Sequence, residues 1–132
     1  MSVKSALVKD YMSGKLVTFT PEMDVLDAMH ELVRHRIAGA PVVDHHGHLV
    51  GMLSEFDCLR TVMMAAYHNE RGGPVADFMN ADVKSVDANM GIVDLAGLFL
   101  ESGFRRYPVL KDNRLVGQIS RRDVLRALVE MS

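Results

Sequence analysis

Apolar and polar positions follow two periods along the chain, and these periods predict an ordered set of helices and strands. Apolar residues at helical spacing predict a helix from Val25 to about Arg34, and a second helix that begins at Ser54-x-x-Asp57 and runs to about Tyr67. A short helix is expected over residues 7–12. Runs rich in β-branched residues predict strands at Leu16–Thr20, Ala40–Asp44 and Leu49–Leu53.

The second half of the chain repeats this order. It predicts a short helix at Val75, a strand at Val83–Val86, a helix at Ile92–Glu101, a hairpin through Lys111–Arg114 and a helix from Arg121. The breakers Arg71-Gly72-Gly73-Pro74 divide the chain into units 1–70 and 71–132. The predicted fold is α/β (α+β): two β-α-β-β-α units in a pseudo-twofold pair, each a small mixed sheet with helices on one face.

The residues themselves also repeat. The segment Val8-Lys9-Asp10-Tyr11-Met12 is matched by Val75-Ala76-Asp77-Phe78-Met79, and the segment Leu49–Arg60 by Leu115–Arg126. The offset is 67 residues early (77 − 10) and 66 late (123 − 57), so one residue is lost in between. Because a core of about 60 residues is marginal alone, the halves are expected to fold as one module with a cleft.

Two segments of the second half carry a family resemblance: Gly103-Phe104-Arg105-Arg106-Tyr107-Pro108 and Ser120-Arg121-Arg122-Asp123. With the paired units, they resemble the CBS domain, and residues from about Val8 to Val129 resemble a tandem CBS pair, or Bateman module. The resemblance implies a stand-alone regulatory module that binds an adenosyl compound, such as AMP, ADP, ATP or S-adenosylmethionine, between its units. It also implies flat dimers that form through helices.

The chemistry of these residues fits a nucleotide. Ser120 ends a strand and opens a helix, where free N–H groups and the helix dipole favour a phosphate. Asp123 offers an acceptor for a ribose diol, and Phe104 and Tyr107 offer flat apolar surface for a purine. The phosphate is expected to meet guanidinium groups from Arg105, Arg106, Arg121 and Arg122. The alternative is that Ser-x-x-Asp is only a helix capping box.

The corresponding first-half residues form a secondary candidate site, made of Ile37, Ala38, Gly39, Ala40, Pro41, Ser54 and Asp57. Arg36 stands where the pattern has glycine, and Glu55 stands where the second half has Arg121. A carboxylate repels a phosphate. This site is therefore expected to be weaker, empty, or suited to a less charged adenosyl group.

Composition excludes several classes of function. The chain has 15 Lys and Arg against 17 Asp and Glu, so no basic field favours nucleic acid or a membrane surface; binding of nucleic acid through the second-half arginines is a minor alternative. The single cysteine, Cys58, fits a reducing compartment, and no signal peptide or spanning segment is apparent. The module is expected to be cytoplasmic, with no enzymatic activity, cofactor or metal.

Histidine pairs do not change this interpretation. His30 and His35 lie five residues apart, about 140° around a helix, so they are poorly placed to share a metal. The His45-His46-Gly47-His48 run is expected to be a solvated turn, and adventitious binding of zinc or nickel is the alternative. Gly97 and Leu98 replace His30 and Glu31 of the first repeat. With the apolar stretch Val62–Ala66, they favour a homodimer that forms through helices, and the alternative is packing between the two halves. The predicted function is a nucleotide sensor that signals to an unknown downstream protein. The alternative is an interaction or dimerisation module without a physiological nucleotide.

Overall fold

The computed structural model describes residues 5–68 and 72–131, apart from the side chains of residues 64–68. The helices are α1 (Val8–Tyr11), α2 (Val25–His35), α3 (Glu55–His68), α4 (Ile92–Ser102) and α5 (Arg121–Met131), with a 3₁₀-helix at Val75–Asp77. The strands are β1 (Gly39–Val43), β2 (Leu49–Ser54), β3 (Val86–Asp87), β4 (Arg106–Lys111) and β5 (Arg114–Ser120). The predicted mixed α+β fold is confirmed. No helix in the described part of the chain is long and apolar enough to cross a membrane.

The chain packs into two compact units whose limits differ from those of the sequence repeats. The continuous unit is Val17–Val83; the discontinuous unit combines the described residues up to Leu16 with those from Lys84 onward. Each leading segment therefore packs with the other repeat: α1 joins the second, and the 3₁₀-helix at Val75–Asp77 joins the first. The predicted division into 1–70 and 71–132 follows the repeat in sequence, whereas packing follows these two units. Arg71 of the predicted break lies outside the described residues.

The discontinuous unit contains a three-stranded mixed sheet in the order β3-β4-β5. Val86 pairs with Val109 in parallel, and β4 runs antiparallel to β5 from Arg106↔Ser120 to Lys111↔Arg114. The buried core on this sheet includes Val8, Ile92, Leu95, Val109, Ile119 and Ala127. Strand and helix meet at Ser120, which places the predicted motif at the edge of the sheet.

The continuous unit has a two-stranded antiparallel sheet of β1 and β2. The predicted strand at Leu16–Thr20 is reduced to one residue: Phe19 alone forms an isolated parallel bridge with Val42. The buried Phe19 ring fills the core, but Thr18 and Thr20 are exposed, and Pro21 has no N–H with which to extend the pairing. The predicted strand at Val83–Val86 likewise shortens and shifts to β3.

The residue lost between the repeats lies in the hairpin turn. The first hairpin has five residues, Asp44–His48, between Val43 and Leu49; the second has four, Lys111–Arg114, between Leu110 and Leu115. Asp112 and Asn113 adopt positive φ of 51° and 67°, as a tight two-residue hairpin turn requires. The longer turn is closed differently, because Asp44 Oδ1 accepts hydrogen bonds of 2.9 Å from the His46 and His48 N–H groups.

Candidate functional site

Ser120 and Asp123 form a reciprocal pair at the start of α5. The Ser120 N–H and hydroxyl donate to Asp123 Oδ2 at 2.8 and 3.1 Å, and the Asp123 N–H donates back to Ser120 Oγ at 3.2 Å. This is the geometry of a capping box, so the pair does stabilise the helix. It also lines a cavity, which the capping role alone does not require.

This Ser120–Asp123 cavity has a volume of about 260 Å³ and is lined by Ser13, Arg106, Gln118, Ser120 and Asp123. Arg106 lies directly across the strand pair from Ser120. Its exposed side chain makes no hydrogen bond or ion pair with the residues that the structure describes. One guanidinium, one carboxylate and several neutral donors thus share a small cavity, a combination suited to a phosphate and a sugar diol.

The other arginines predicted for this site lie elsewhere. Arg121 Nε donates to the Phe104 carbonyl and its Nη2 to the Gly103 carbonyl, each at 2.7 Å, so it ties the loop after α4 to α5. Arg105 and Arg122 are exposed and do not line the Ser120–Asp123 cavity. Of the four arginines predicted to meet the phosphate, only Arg106 lines the Ser120–Asp123 cavity.

The remaining residues of the first segment have structural positions. Tyr107 is 2% exposed, and its ring centroid lies 5.2 Å from that of Phe99, which makes it part of the core. Pro108 is buried within β4, and the Phe104 ring meets the Tyr107 ring edge-on at 5.4 Å. Gly103 ends α4 in the left-handed conformation, with φ of 73°.

The continuous unit repeats the pair. The Ser54 N–H and hydroxyl both donate to Asp57 Oδ2 at 2.9 Å, and the Asp57 N–H donates to Ser54 Oγ at 3.2 Å. The Ser54–Asp57 cavity has a volume of about 530 Å³, and it is lined by Met52, Ser54, Phe56, Asp57, Arg60, Met79, Asn80 and Ala81. The predicted capping geometry and a candidate site thus occur together in both repeats.

The other predicted residues of the first repeat do not line this cavity. Ala40 and Pro41 are buried in β1, and Gly39 lies opposite Ser54 across the strand pair. Ile37 and Ala38 line a separate apolar cavity of about 580 Å³ together with residues of α2 and α3. Only Ser54 and Asp57 of the secondary set come together in the Ser54–Asp57 cavity.

The two cavities share four matching positions of the repeat, and their other lining residues differ. Ser54 and Asp57 match Ser120 and Asp123, and Asn80 matches Ser13 at an offset of 67 (80 − 13). The polar Gln118 corresponds to Met52, and Arg106 corresponds to Gly39. Phe56 lines only the Ser54–Asp57 cavity, because its counterpart Arg122 does not line the Ser120–Asp123 cavity. The Ser54–Asp57 cavity is consequently larger and more apolar.

The leading segments supply cavity residues that the motifs did not indicate. The N–H groups of Ser13 and Gln118 donate to each other's carbonyls at 2.9 and 3.0 Å, and Met52 and Asn80 do the same at 2.9 Å in the continuous unit. Gly51 and Gly117 permit this close crossing: a Cβ at 117 would lie 2.7 Å from the Ser13 carbonyl oxygen. The signal was present in the Leu-Val-Gly triplet common to both repeats.

Two further arginines accompany the capping aspartates. Arg60 lines its cavity, with Nη2 3.7 Å from Asp57 Oδ1, and Arg126 Nη2 lies 3.8 Å from Asp123 Oδ1. The Asp-x-x-Arg spacing, preserved in both halves, was the sequence signal for them. The cavity of the first repeat therefore includes one arginine, Arg60.

The single cysteine, Cys58, follows Asp57 in the sequence but lines the separate apolar cavity of Ile37 and Ala38. Burial raises the pKa of the Cys58 thiol above its ordinary value, and the negative charges of Asp57 and Glu55 act in the same direction. Cys58 is 8% exposed and packs in the core, as expected for an unreactive thiol. Among the described residues, no group of three or more His, Cys, Asp and Glu side chains is placed to hold a metal ion.

Comparison with known proteins decides the family. The family model described as the CBS domain matches residues 8–63 and again residues 75–130. The chain belongs to the CBS-domain family. Its two matches make it a tandem CBS pair, as the sequence resemblance predicted. An uncharacterised 17.7 kDa protein of Acidianus ambivalens is 30% identical over 125 residues, which cover 94% of this chain and 74% of that protein.

Solved structures of CBS pairs have the same fold. The crystal structure of CBSX2, a protein of Arabidopsis thaliana, in complex with AMP is 32% identical to this chain, with a TM-score of 0.81 and coverage of 95% of this chain and 97% of that one. The CBS pair of protein MJ0100, in complex with 5′-methylthioadenosine and S-adenosyl-L-methionine, is 26% identical, with a TM-score of 0.72 and coverage of 93% and 99%.

Proposed function

We propose that this CBS pair is a regulatory module that binds an adenosyl nucleotide and signals its presence to a downstream protein through a shift between conformations. The observation that carries the proposal is the Ser120–Asp123 cavity, where Arg106, a serine hydroxyl and a carboxylate meet. The AMP complex of CBSX2 supports an adenine nucleotide as the ligand. A phosphorylated ligand is assigned to this cavity because Arg106 is not engaged by another described residue.

Backbone donors at the start of α5 contribute less than the sequence suggested. The Arg121 N–H donates to the Arg105 carbonyl at 3.1 Å, and the Asp123 N–H donates to Ser120 Oγ at 3.2 Å. The phosphate therefore depends mainly on Arg106 and the positive end of the helix. Asp123 Oδ1, which accepts no bond from Ser120, is available for a ribose hydroxyl.

The Ser54–Asp57 cavity is assigned a less charged adenosyl group. Arg60 and Asp57 lie 3.7 Å apart and offset each other's charge, while Met52, Phe56 and Met79 supply apolar lining. Such a lining suits a nucleoside with a thioether or alkyl substituent better than a phosphate. The MJ0100 complex, with its two sulfur-containing adenosyl ligands, supports this class.

The proposal extends to assembly as a homodimer through helices. Leu100, Leu125 and Leu128 are 88%, 61% and 42% exposed beside an apolar cavity of about 430 Å³ on α4 and α5. Exposed apolar surface of this kind marks an interaction site. Gly97 is exposed on α4, whereas Leu98 packs against the core. Of the predicted stretch Val62–Ala66, Val62 and Met63 are exposed, and the other three side chains lie outside the described residues.

We further propose a cytoplasmic module without catalytic activity, resident cofactor or metal, and without nucleic acid or membrane as a partner. The net charge of −2 supports the last two points, because no overall basic field attracts nucleic acid or an anionic membrane.

Calorimetry with AMP tests the ligand assignment. Arg106→Gln should raise the Kd for AMP about tenfold, because a charge-assisted hydrogen bond to phosphate is lost. Arg114→Gln, which removes an exposed arginine at the start of β5, is the matched control and should leave the Kd unchanged. If AMP, ADP, ATP and S-adenosylmethionine all fail to bind at millimolar concentration, the ligand-free interaction module is the correct alternative.

A further inference from the structure

Arg126, on α5, contacts three other residues: Tyr11, Asp123 and Glu130. Its Nη2 donates to the Tyr11 carbonyl at 2.9 Å, and its guanidinium carbon lies 5.1 Å from the centroid of the Tyr11 ring. The same guanidinium lies 3.8 Å from Asp123 Oδ1 and 3.6 Å from Glu130 Oε1. It therefore joins α1 to the carboxylate of the Ser120–Asp123 cavity.

Helix α1 depends on such contacts. It has four residues, far fewer than the 12–15 or so that an isolated helix needs. The last carbonyls of a helix receive no hydrogen bond from an N–H group of the same helix, and a cation near them is favourable. Arg126 satisfies one of these carbonyls, that of Tyr11, while the Tyr11 ring is buried in the core.

The segment that Arg126 holds continues directly into the wall of the cavity. Ser13 follows Tyr11 by two residues, pairs with Gln118 through two backbone hydrogen bonds and lines the cavity. On the other side, Asp123 Oδ2 is taken by the two Ser120 donors, which leaves Oδ1 for Arg126 or a ligand. One guanidinium thus reaches both the wall and the carboxylate.

We propose that Arg126 is a positioning residue that couples occupation of the Ser120–Asp123 cavity to the docking of α1. The proposal rests on the proposed function. A ligand that needs Ser13 in place stabilises docked α1, and by reciprocity docked α1 strengthens binding of the ligand. Arg60 makes a weaker version of the contact: its Nη2 lies 3.4 Å from the Phe78 carbonyl, and it lines its own cavity.

The test measures AMP affinity and amide hydrogen exchange on the full chain. Arg126→Gln removes the charge-assisted hydrogen bond to the Tyr11 carbonyl, which holds α1 in place. It should therefore raise the Kd for AMP about tenfold. It should also speed hydrogen exchange about tenfold at the Val8, Lys9 and Ser13 amides. Arg126→Lys keeps the charge and a donor, so it should restore most of the affinity. Arg114→Gln is the matched control. In the wild type, AMP should slow the same three amides and leave those of Phe19 and Val43, in the continuous unit, unchanged.

The outcomes separate this proposal from the proposed function. If AMP, ADP, ATP and S-adenosylmethionine all fail to bind the wild type, the proposed function fails. Faster exchange confined to the Val8, Lys9 and Ser13 amides of unliganded Arg126→Gln would then still support the role of Arg126 in docking α1, and unchanged exchange would overturn it. If AMP binds but Arg126→Gln changes neither its Kd nor exchange in α1, the coupling is overturned. Acceleration that is uniform over both units, without rescue by lysine, would also overturn it, since that is the signature of a purely structural role.

Discussion

The cavities of the continuous and discontinuous units are the same construction with different linings. Both have the reciprocal serine–aspartate cap, the Asp-x-x-Arg spacing and a glycine under a crossing segment. They differ in side chains that do not hold the backbone: Arg106 and Gln118 in one unit correspond to Gly39 and Met52 in the other. Features that hold the backbone in place persist in both copies, whereas features that select a ligand differ. A shared motif therefore indicates a site but does not identify what occupies it.

The largest expected effect concerns the glycines under the crossing segments. In Gly117→Ala, the new Cβ would lie 2.7 Å from the Ser13 carbonyl oxygen, which is backbone and cannot move aside. In Gly51→Ala, the nearest atom is Met79 Sδ at 2.5 Å, at the flexible end of a side chain. Gly117→Ala should lower the free energy of unfolding by about 3 kcal/mol, and Gly51→Ala by about 1 kcal/mol.

Urea denaturation measures both values. Equal losses of unfolding free energy in Gly117→Ala and Gly51→Ala would contradict this prediction, because they would mean that both crossings tolerate a methyl group equally well.

The next effect separates the two aspartates. Asp123→Ala should raise the Kd for AMP about 30-fold, or about 2 kcal/mol, because the ribose acceptor is lost beside Arg106. Asp57→Ala removes an equivalent helix cap, so it is matched in stability, and it should leave the AMP Kd within about twofold. Calorimetry at equal protein concentration checks both variants. If Asp57→Ala alone abolished AMP binding, the assignment of the phosphorylated ligand would be reversed.

The smallest effect lies in the hairpin turns. The His48 and His46 N–H groups donate to Asp44 and hold the pKa of its carboxyl below its ordinary value, against the opposing effect of desolvation. A carboxyl whose pKa is lowered by folding stabilises the folded state above its unfolded pKa, and this contribution is lost as the pH falls through its folded pKa. Asp44→Asn should therefore lower the Tm slightly near neutral pH.

The difference between Asp44→Asn and wild type should fade as the pH falls below about 4. Lys111 occupies the matching position in the second repeat, and Lys111→Gln should show no such dependence. Thermal unfolding between acid and neutral pH measures both variants. A difference that persists in acid would show that the carboxylate charge is not its cause.

Local patterns predicted most helices and both hairpins. The bounds of α2 and α4 follow the apolar spacing, and the caps at Ser54 and Ser120 follow from Ser-x-x-Asp. The glycine of the family motif also has a local cause: Gly103 and Arg36 both end helices in the left-handed conformation, with φ of 73° and 55°. These features depend on neighbours within a few residues, which a single sequence displays.

Contacts between distant segments were not predictable in this way. The packing of α1 with the second repeat joins residues more than a hundred positions apart, as in the hydrogen bond from Arg126 to Tyr11. The role of Arg121 in tying down the loop of Gly103 and Phe104 depends on the path of that loop, not on spacing. Leu16–Thr20 has the composition of a strand, but only Phe19 finds a partner. Tertiary context decided each of these cases.

The interrupted course of the discontinuous unit has a consequence for the order of synthesis. Residues 17–83 emerge from the ribosome as one uninterrupted stretch, so that unit can complete its packing while the remainder of the chain is still being made. The segment that contains α1 is synthesised before residues 17–83, whereas β3, β4, β5 and α5, which complete its unit, are synthesised after them. Helix α1 can therefore pack into its unit only after α5 has been synthesised, so its docking requires translation of both repeats.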